Sequence, residues 1–270
     1  MSLIKSPLYN LLLRARMKKN KKKIIANIKM NGSLSFNEIY FNKIKKNFNN
    51  FENLNIGLCL PYPYLFQAKN FLEHTKICWG SQNVAKFESG PHTGEVSAPM
   101  LKDFGSKYVI VGHSERSTAY CESDENIAHK FEKIKKYNMT PVLCVGESLI
   151  EREAGIMERV VSSQIDAIVK INGAEVFEDS IIAYEPIWAI GSDTAASPAQ
   201  VDKMCNFIKD HICKVFNGNF KNFSIIYGGS VNSKNAVQLF ASESLDGVLV
   251  GRSSINIEEF FQICSTAENS

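Results

Sequence analysis

The sequence predicts an α/β protein built as a single-domain (β/α)8 barrel. Three observations carry that prediction. The chain has 270 residues, close to the roughly 250 that such barrels occupy as one domain. Eight short apolar runs recur along it, with helix-like stretches between them. No internal repeat or linker marks a second domain, and no G-x-G-x-x-G or G-x-x-x-x-G-K motif follows the first run. The last point leaves a doubly wound open sheet as the runner-up.

The eight runs, in order, are "KIIANI" (23–28), "IGLCL" (56–60), "KICWG" (76–80), "KYVIVG" (107–112), "TPVLCVG" (140–146), "SIIAYE" (180–185), "FSIIYGG" (223–229) and "GVLVG" (247–251). They are continuously apolar rather than alternating, which suits strands buried on both faces of a parallel sheet covered by helices. Between them, Asp124 to Tyr137 places Ile127, Phe131 and Ile134 at helical spacing. A second helix is expected from Pro198 to Phe216, with Ser197 as its N-cap and proline at its first position.

With 44% hydrophobic and 22% charged residues, the composition is that of an ordinary globular protein. No apolar run approaches the roughly 20 residues of a membrane span. The formal charge is +3, but residues 1–23 hold eight Lys or Arg and no acid, which leaves the remainder at −5. An acidic body argues against a nucleic-acid face. Seven cysteines at 59, 78, 121, 144, 205, 213 and 264 contain no C-x-x-C pair. They fit neither a metal site nor a disulfide framework, and read as buried thiols in a reducing compartment. Residues 1–22 form a basic extension ahead of a barrel at 23–270. Its acid-poor composition suits a plastid-type or mitochondrial targeting segment, and a plain basic tail on a cytoplasmic protein is the alternative.

In a barrel, the C-terminal strand ends face the active-site mouth. The polar residues there are Asn27 and Lys29 after the first run, Ser81 to Asn83 after the third, and His113, Ser114 and Glu115 after the fourth. Glu185 follows the sixth, Gly228 to Ser230 the seventh, and Gly251 and Arg252 the eighth. Taken singly, each has a bland explanation. A lysine is usually solvated, a glutamate before proline can simply end a strand, and paired glycines can be turns. Their coincidence at matching strand ends points to a site. The glycine-bearing loops after the last two strands suit a phosphate held by backbone N–H groups. A Lys, His and Glu around such a substrate suit proton abstraction beside a carbonyl. Glycoside hydrolysis would call for a second carboxylate opposite Glu185, and none is evident.

From Lys23 to about Cys264 the chain closely resembles the triosephosphate isomerase family. The likeness is carried by "ANIKMNG", "SQNV", "HTGEVSAPMLKDFGSKYVIVGHSER", "PVLCVGE", "AYEPIWAIG", "IIYGGSVN" and "GVLVGRSS", in the family's order. The resemblance implies a TIM barrel that interconverts dihydroxyacetone phosphate and D-glyceraldehyde 3-phosphate in central carbon metabolism. It implies a homodimer needing no cofactor or metal and having neither nucleic-acid nor membrane partner. Carried over residue by residue, it implies that Asn27 and Lys29 bind substrate, that Lys29 stabilises negative charge, and that His113 is a neutral electrophile and Glu185 the base, the division of roles established for this family. Ser114 and Glu115 would lie behind them, with Glu115 near Lys29. Backbone amides of Gly191, Ser230, Gly251 and Arg252 would hold the phosphate.

A lid would comprise Pro186, Ile187, Trp188, Ala189, Ile190, Gly191, Ser192, Asp193, Thr194, Ala195 and Ala196, closing to exclude water. Where the family's lid commonly reads "IGTGKTA", this chain has "IGSDTAA". The added Asp193 is expected to alter closure and to show mainly in kcat. Ser117 replaces an arginine, Ile28 a tryptophan, and Arg252 a common glycine. The Arg252 side chain must therefore turn away from the phosphate site or add a cation beside it. In the dimer loop "GPHTGE", His92 replaces an aromatic residue and Thr93 would approach the partner subunit's Asn27. A catalytically impaired homologue with a binding or scaffold role is the alternative function.

Overall fold

A computed structural model describes residues 21–191, 195–215 and 222–270. Eight parallel strands close into a barrel in sequence order. They are β1 (Lys22–Asn27), β2 (Leu54–Leu60), β3 (Cys78–Ser81), β4 (Tyr108–Val111), β5 (Thr140–Val145), β6 (Ser180–Tyr184), β7 (Phe223–Tyr227) and β8 (Gly247–Val250). All eight expected runs are strands. The first opens at Lys22, one residue ahead of the expected boundary, because Lys22 already pairs with Leu54 of β2.

Helices follow every strand: α1 (Leu34–Phe48), α2 (Leu65–Leu72), α3 (Ala98–Asp103), α4 (Ser114–Tyr120) with α5 (Asp124–Lys136), α6 (Leu149–Glu153) with α7 (Met157–Asn172), α8 (Pro198–Val215), α9 (Ser233–Phe240) and α10 (Ile257–Glu268). Helix α5 buries Ile127, Phe131 and Ile134, as their spacing predicts, and Tyr137 is its C-cap. Ser197 caps α8 by accepting from the Gln200 amide at 3.3 Å. The expected last residue of α8, Phe216, lies outside the described residues. No described helix is long and apolar enough to cross a membrane.

The continuous apolar runs are explained by two cores. Inside the barrel, Ile25, Cys59, Tyr108, Ile110, Val142, Cys144, Ile181, Ala183, Ile226 and Leu249 fill the lumen. The strands' alternate residues, such as Ile24, Leu58, Val109 and Ile182, meet the helices instead. Since side chains alternate across a strand, only an apolar residue at every position satisfies both layers. Space inside is tight, and a Cβ on Gly57 would stand 2.5 Å from the Tyr108 ring.

The expectation of seven buried thiols is corrected in part. Cys59, Cys144, Cys205 and Cys264 are buried, whereas Cys78 and Cys213 are half-buried and Cys121 is exposed. Cys121 ends α4 in a left-handed conformation, with φ of 52°. A helix terminus on the barrel surface offers no core for its side chain.

Candidate active site

A cavity of about 1040 Å³ opens at the C-terminal ends of the strands. Asn27, Lys29, His113, Ser114, Glu115, Glu185, Gly191, Ser230, Gly251 and Arg252 all line it. Strands far apart in sequence deliver them to one mouth because a closed parallel barrel points every C-terminal end the same way.

Lys29 lies just beyond β1 with φ of 54°, a conformation unusual for a residue with a Cβ. Two side chains hold it there. Asn27 Oδ1 accepts from the Lys29 amide at 3.0 Å. Gln82 Nε2 donates to the Lys29 carbonyl at 2.9 Å and to that of Cys59 at 3.0 Å. Backbone strain of this kind persists where the surroundings over-determine it. The Lys29 ammonium, three-quarters buried, pairs with Glu115 Oε1. Glu115 therefore stands beside Lys29 as expected.

His113 is buried and forms the N-cap of α4, where its Nδ1 accepts from the Glu115 amide at 3.2 Å. An accepting Nδ1 carries a lone pair, so in the neutral ring the proton sits on Nε2. That nitrogen lies 3.5 Å from Glu185 Oε1. Ser114 opens α4 on the cavity wall. The neighbouring Arg116 pairs with Glu122 at 3.2 Å, and Glu122 in turn holds Lys130. Ser117 is exposed.

Glu185 continues the β6 ladder, its amide donating to Val145 at 2.8 Å. Its carboxylate is buried, and Oε2 has no hydrogen-bond partner among the described residues. Beside it, burial first and the charge of Glu185 second push the Cys144 thiol well above its usual range. Gly228 has a role that the sequence does not reveal. A Cβ there would stand 2.6 Å from Glu185 Cγ and 2.9 Å from Oε1. The glycine makes room for the carboxylate side chain.

The segment after Glu185 turns through a short 3-10 helix, Ile187–Ala189. Its anchor is Glu147, the last residue of "PVLCVGE", whose role the sequence does not reveal. Fully buried, Glu147 accepts from Trp188 Nε1 at 2.9 Å, from Tyr184 Oη at 3.1 Å and from Arg152 Nη1 at 2.9 Å. Its carbonyl accepts from the Ile187 amide at 2.9 Å. Such a carboxylate signals itself only by its place just beyond a strand end, two residues after β5. Ser230 Oγ donates to the Ala189 carbonyl at 2.6 Å, and Tyr227 Oη accepts from the Ala196 amide at 3.3 Å. Both described ends of the segment are thus tied to the end of β7. Ser192, Asp193 and Thr194 lie outside the described residues, and the expectation about Asp193 lies there with them.

Ile28 is buried in the core. His92 stacks on Phe87 with ring centroids 3.6 Å apart and planes 7° from parallel, and Thr93 is exposed. Among the described residues, no group of three or more His, Cys, Asp or Glu could hold a metal ion.

Known proteins share this barrel's sequence almost end to end. A family model described as triosephosphate isomerase matches residues 22–267. The triosephosphate isomerase of Nitrosomonas europaea is 42% identical over 246 residues, covering 91% of this chain and 98% of the relative. That of Escherichia coli O1:K1 / APEC is 44% identical over 245 residues, covering 91% and 96%. A match spanning every strand and every cavity-lining strand end, at such identity, places the chain in the triosephosphate isomerase family.

Proposed function

We propose that the cavity isomerises dihydroxyacetone phosphate and D-glyceraldehyde 3-phosphate by proton transfer between adjacent carbons, with Glu185 as base. The convergence of Lys29, His113 and Glu185 on one mouth carries this reading. Glu185 takes the proton from the carbon beside the carbonyl, and the C–H electron pair moves into an enediolate. The Nε2–H of His113 donates to the carbonyl oxygen as negative charge builds on it. The ammonium of Lys29 stabilises that charge without being consumed. Glu185 then returns the proton to the neighbouring carbon while His113 Nε2 gives its proton to the former carbonyl oxygen and takes back the hydroxyl proton from the other, so protons on carbon and oxygen both balance and no cofactor is drawn on. The buried Oε2, which has no hydrogen-bond partner among the described residues, supports Glu185 as the acceptor. The amides of Gly191, Ser230, Gly251 and Arg252 bind the phosphate on this reading, and Ile187, Ile190 and Ala195 border it, with Trp188, Ala189 and Ala196 moored through Glu147, Ser230 and Tyr227.

A coupled assay with D-glyceraldehyde 3-phosphate tests the proposal. The full chain should turn over, and Glu185→Gln should lower kcat by about 10²–10⁴-fold, the usual share of a positioned base. A Glu185→Gln enzyme near wild-type activity would overturn the assignment. No turnover by the wild type would leave a binding or scaffold role.

The chain is further proposed to act as a homodimer. Support comes from large apolar side chains that stand exposed just after β1 and on or beside α2 and α3. Met30 is 95% exposed and Met100 is 49% exposed, and Phe66 and Phe104 touch edge to face at 6.3 Å. A monomer in sedimentation at micromolar concentration would refute this. The basic extension is proposed as an organelle-targeting segment, which a fluorescent fusion remaining in the cytoplasm would contradict.

A further inference from the structure

The Arg252 side chain faces the cavity where a glycine is common in the family. The residue follows β8 directly and begins a short 3-10 helix, Arg252–Ser254. Its guanidinium reaches across the cavity rim, and Nη2 donates to the Gly191 carbonyl at 3.4 Å. A Cβ on Gly191 would stand 3.5 Å from the same nitrogen, so the tip of the guanidinium packs beside that residue. Gly191 itself has φ of 68°. Both residues line the cavity.

Among the described residues, three cations line that space: Lys29, Lys234 and Arg252. Lys29 is engaged by Glu115. Arg252 has no carboxylate within 4.0 Å among the described residues, and its one hydrogen bond there is long. Among the described residues, four of its five N–H donors have no acceptor. A planar guanidinium lying on the wall of a cavity fits an oxyanion of phosphate geometry.

The geometry points to the Arg252 side chain as an additional phosphate-binding group of this enzyme, acting beside the backbone amides and seated on Gly191. This rests on the isomerase reading above and adds an ionic contact to the phosphate end of the substrate. The contact lies at an exposed rim, so salt should weaken it. It depends on the side chain and not on the Arg252 amide, which any substitution except proline preserves.

Full-length wild type, Arg252→Gln and Arg252→Lys separate these contributions. Calorimetric titration with inorganic phosphate should show binding about five- to tenfold weaker in Arg252→Gln, the range of a charged hydrogen bond reduced by exposure. KM for D-glyceraldehyde 3-phosphate should rise by a similar factor, and Arg252→Lys should recover most of the loss at low salt. The loss in kcat/KM should be smaller with phosphate-free D-glyceraldehyde. Phosphate affinity within twofold of wild type in Arg252→Gln would overturn the proposal. So would equal losses with both aldehydes, which would mark a structural role. If the wild type fails to isomerise, the isomerase reading falls, yet the calorimetric comparison still judges Arg252.

Discussion

Substituting Gly228 by alanine distinguishes two uses of the glycine pair after β7. On the sequence's reading, Gly228 lets backbone approach a phosphate. In the fold, its missing side chain leaves space for Glu185. A Cβ at 228 would lie 2.6 Å from Glu185 Cγ, 2.9 Å from Oε1 and 3.1 Å from Cδ. Non-bonded carbons settle near 3.5–4.0 Å, so the carboxylate must retreat by about 1 Å. It has little room, because its side chain is only 4% exposed. Misplacing a reacting group by about 1 Å costs on the order of 10² in rate. Gly228→Ala should therefore lower kcat about 100-fold, lose roughly 1–3 kcal/mol of stability from overpacking, and leave inorganic phosphate affinity within about threefold. Steady-state kinetics, urea unfolding and phosphate titration measure all three. A kcat within threefold of wild type in a folded variant would refute the packing argument. Phosphate affinity falling as far as kcat would favour the phosphate-end reading instead.

Glu147 offers a second test. Glu147→Leu would strand the Trp188, Tyr184 and Arg152 donors and should cost about 3–5 kcal/mol, as breaking a buried charge pair does. Glu147→Gln keeps an acceptor and should cost roughly 1–2 kcal/mol. Urea midpoints decide, and Glu147→Leu within about 1 kcal/mol of wild type would contradict the anchoring role. The buried thiols set a pH dependence. Burial raises Cys59, Cys144, Cys205 and Cys264 above the ordinary thiol range. Unfolded thiols ionise near 8.5 while the folded ones stay protonated, so the unfolded state loses protons first. Their contribution is complete below about pH 8 and lost as pH climbs past 9. Urea unfolding at pH 7.5 and 9.5 should show lower stability at the higher pH, and replacing Cys144 by alanine should reduce the difference without abolishing it, since Cys59, Cys205 and Cys264 remain. These four thiols should also resist alkylation until the chain unfolds, and labelling of Cys144 in folded protein at pH 8 would contradict its burial.

Much of this protein was determined by sequence alone. Apolar residues at consecutive positions, repeated eight times between amphipathic stretches, admit a sheet buried on both faces, and Ser197 before Pro198 marks a helix start by local chemistry. Strand ends then place Lys29, His113 and Glu185 at one mouth, since a closed parallel barrel has only one C-terminal rim. What each polar group touches was decided by the tertiary structure. Gln82 clamps the Lys29 carbonyl from 53 residues away, and Glu115 meets its ammonium from 86. Ser230 reaches Ala189, and Glu147 gathers three donors beneath Trp188. Even the direction of Arg252, open in two ways from sequence, is seen only in the fold, where it reaches the Gly191 carbonyl. Periodicity reports the face on which a residue sits because burial acts along one element. Polar pairing joins elements separated by scores of residues, and only closure of the barrel sets those distances.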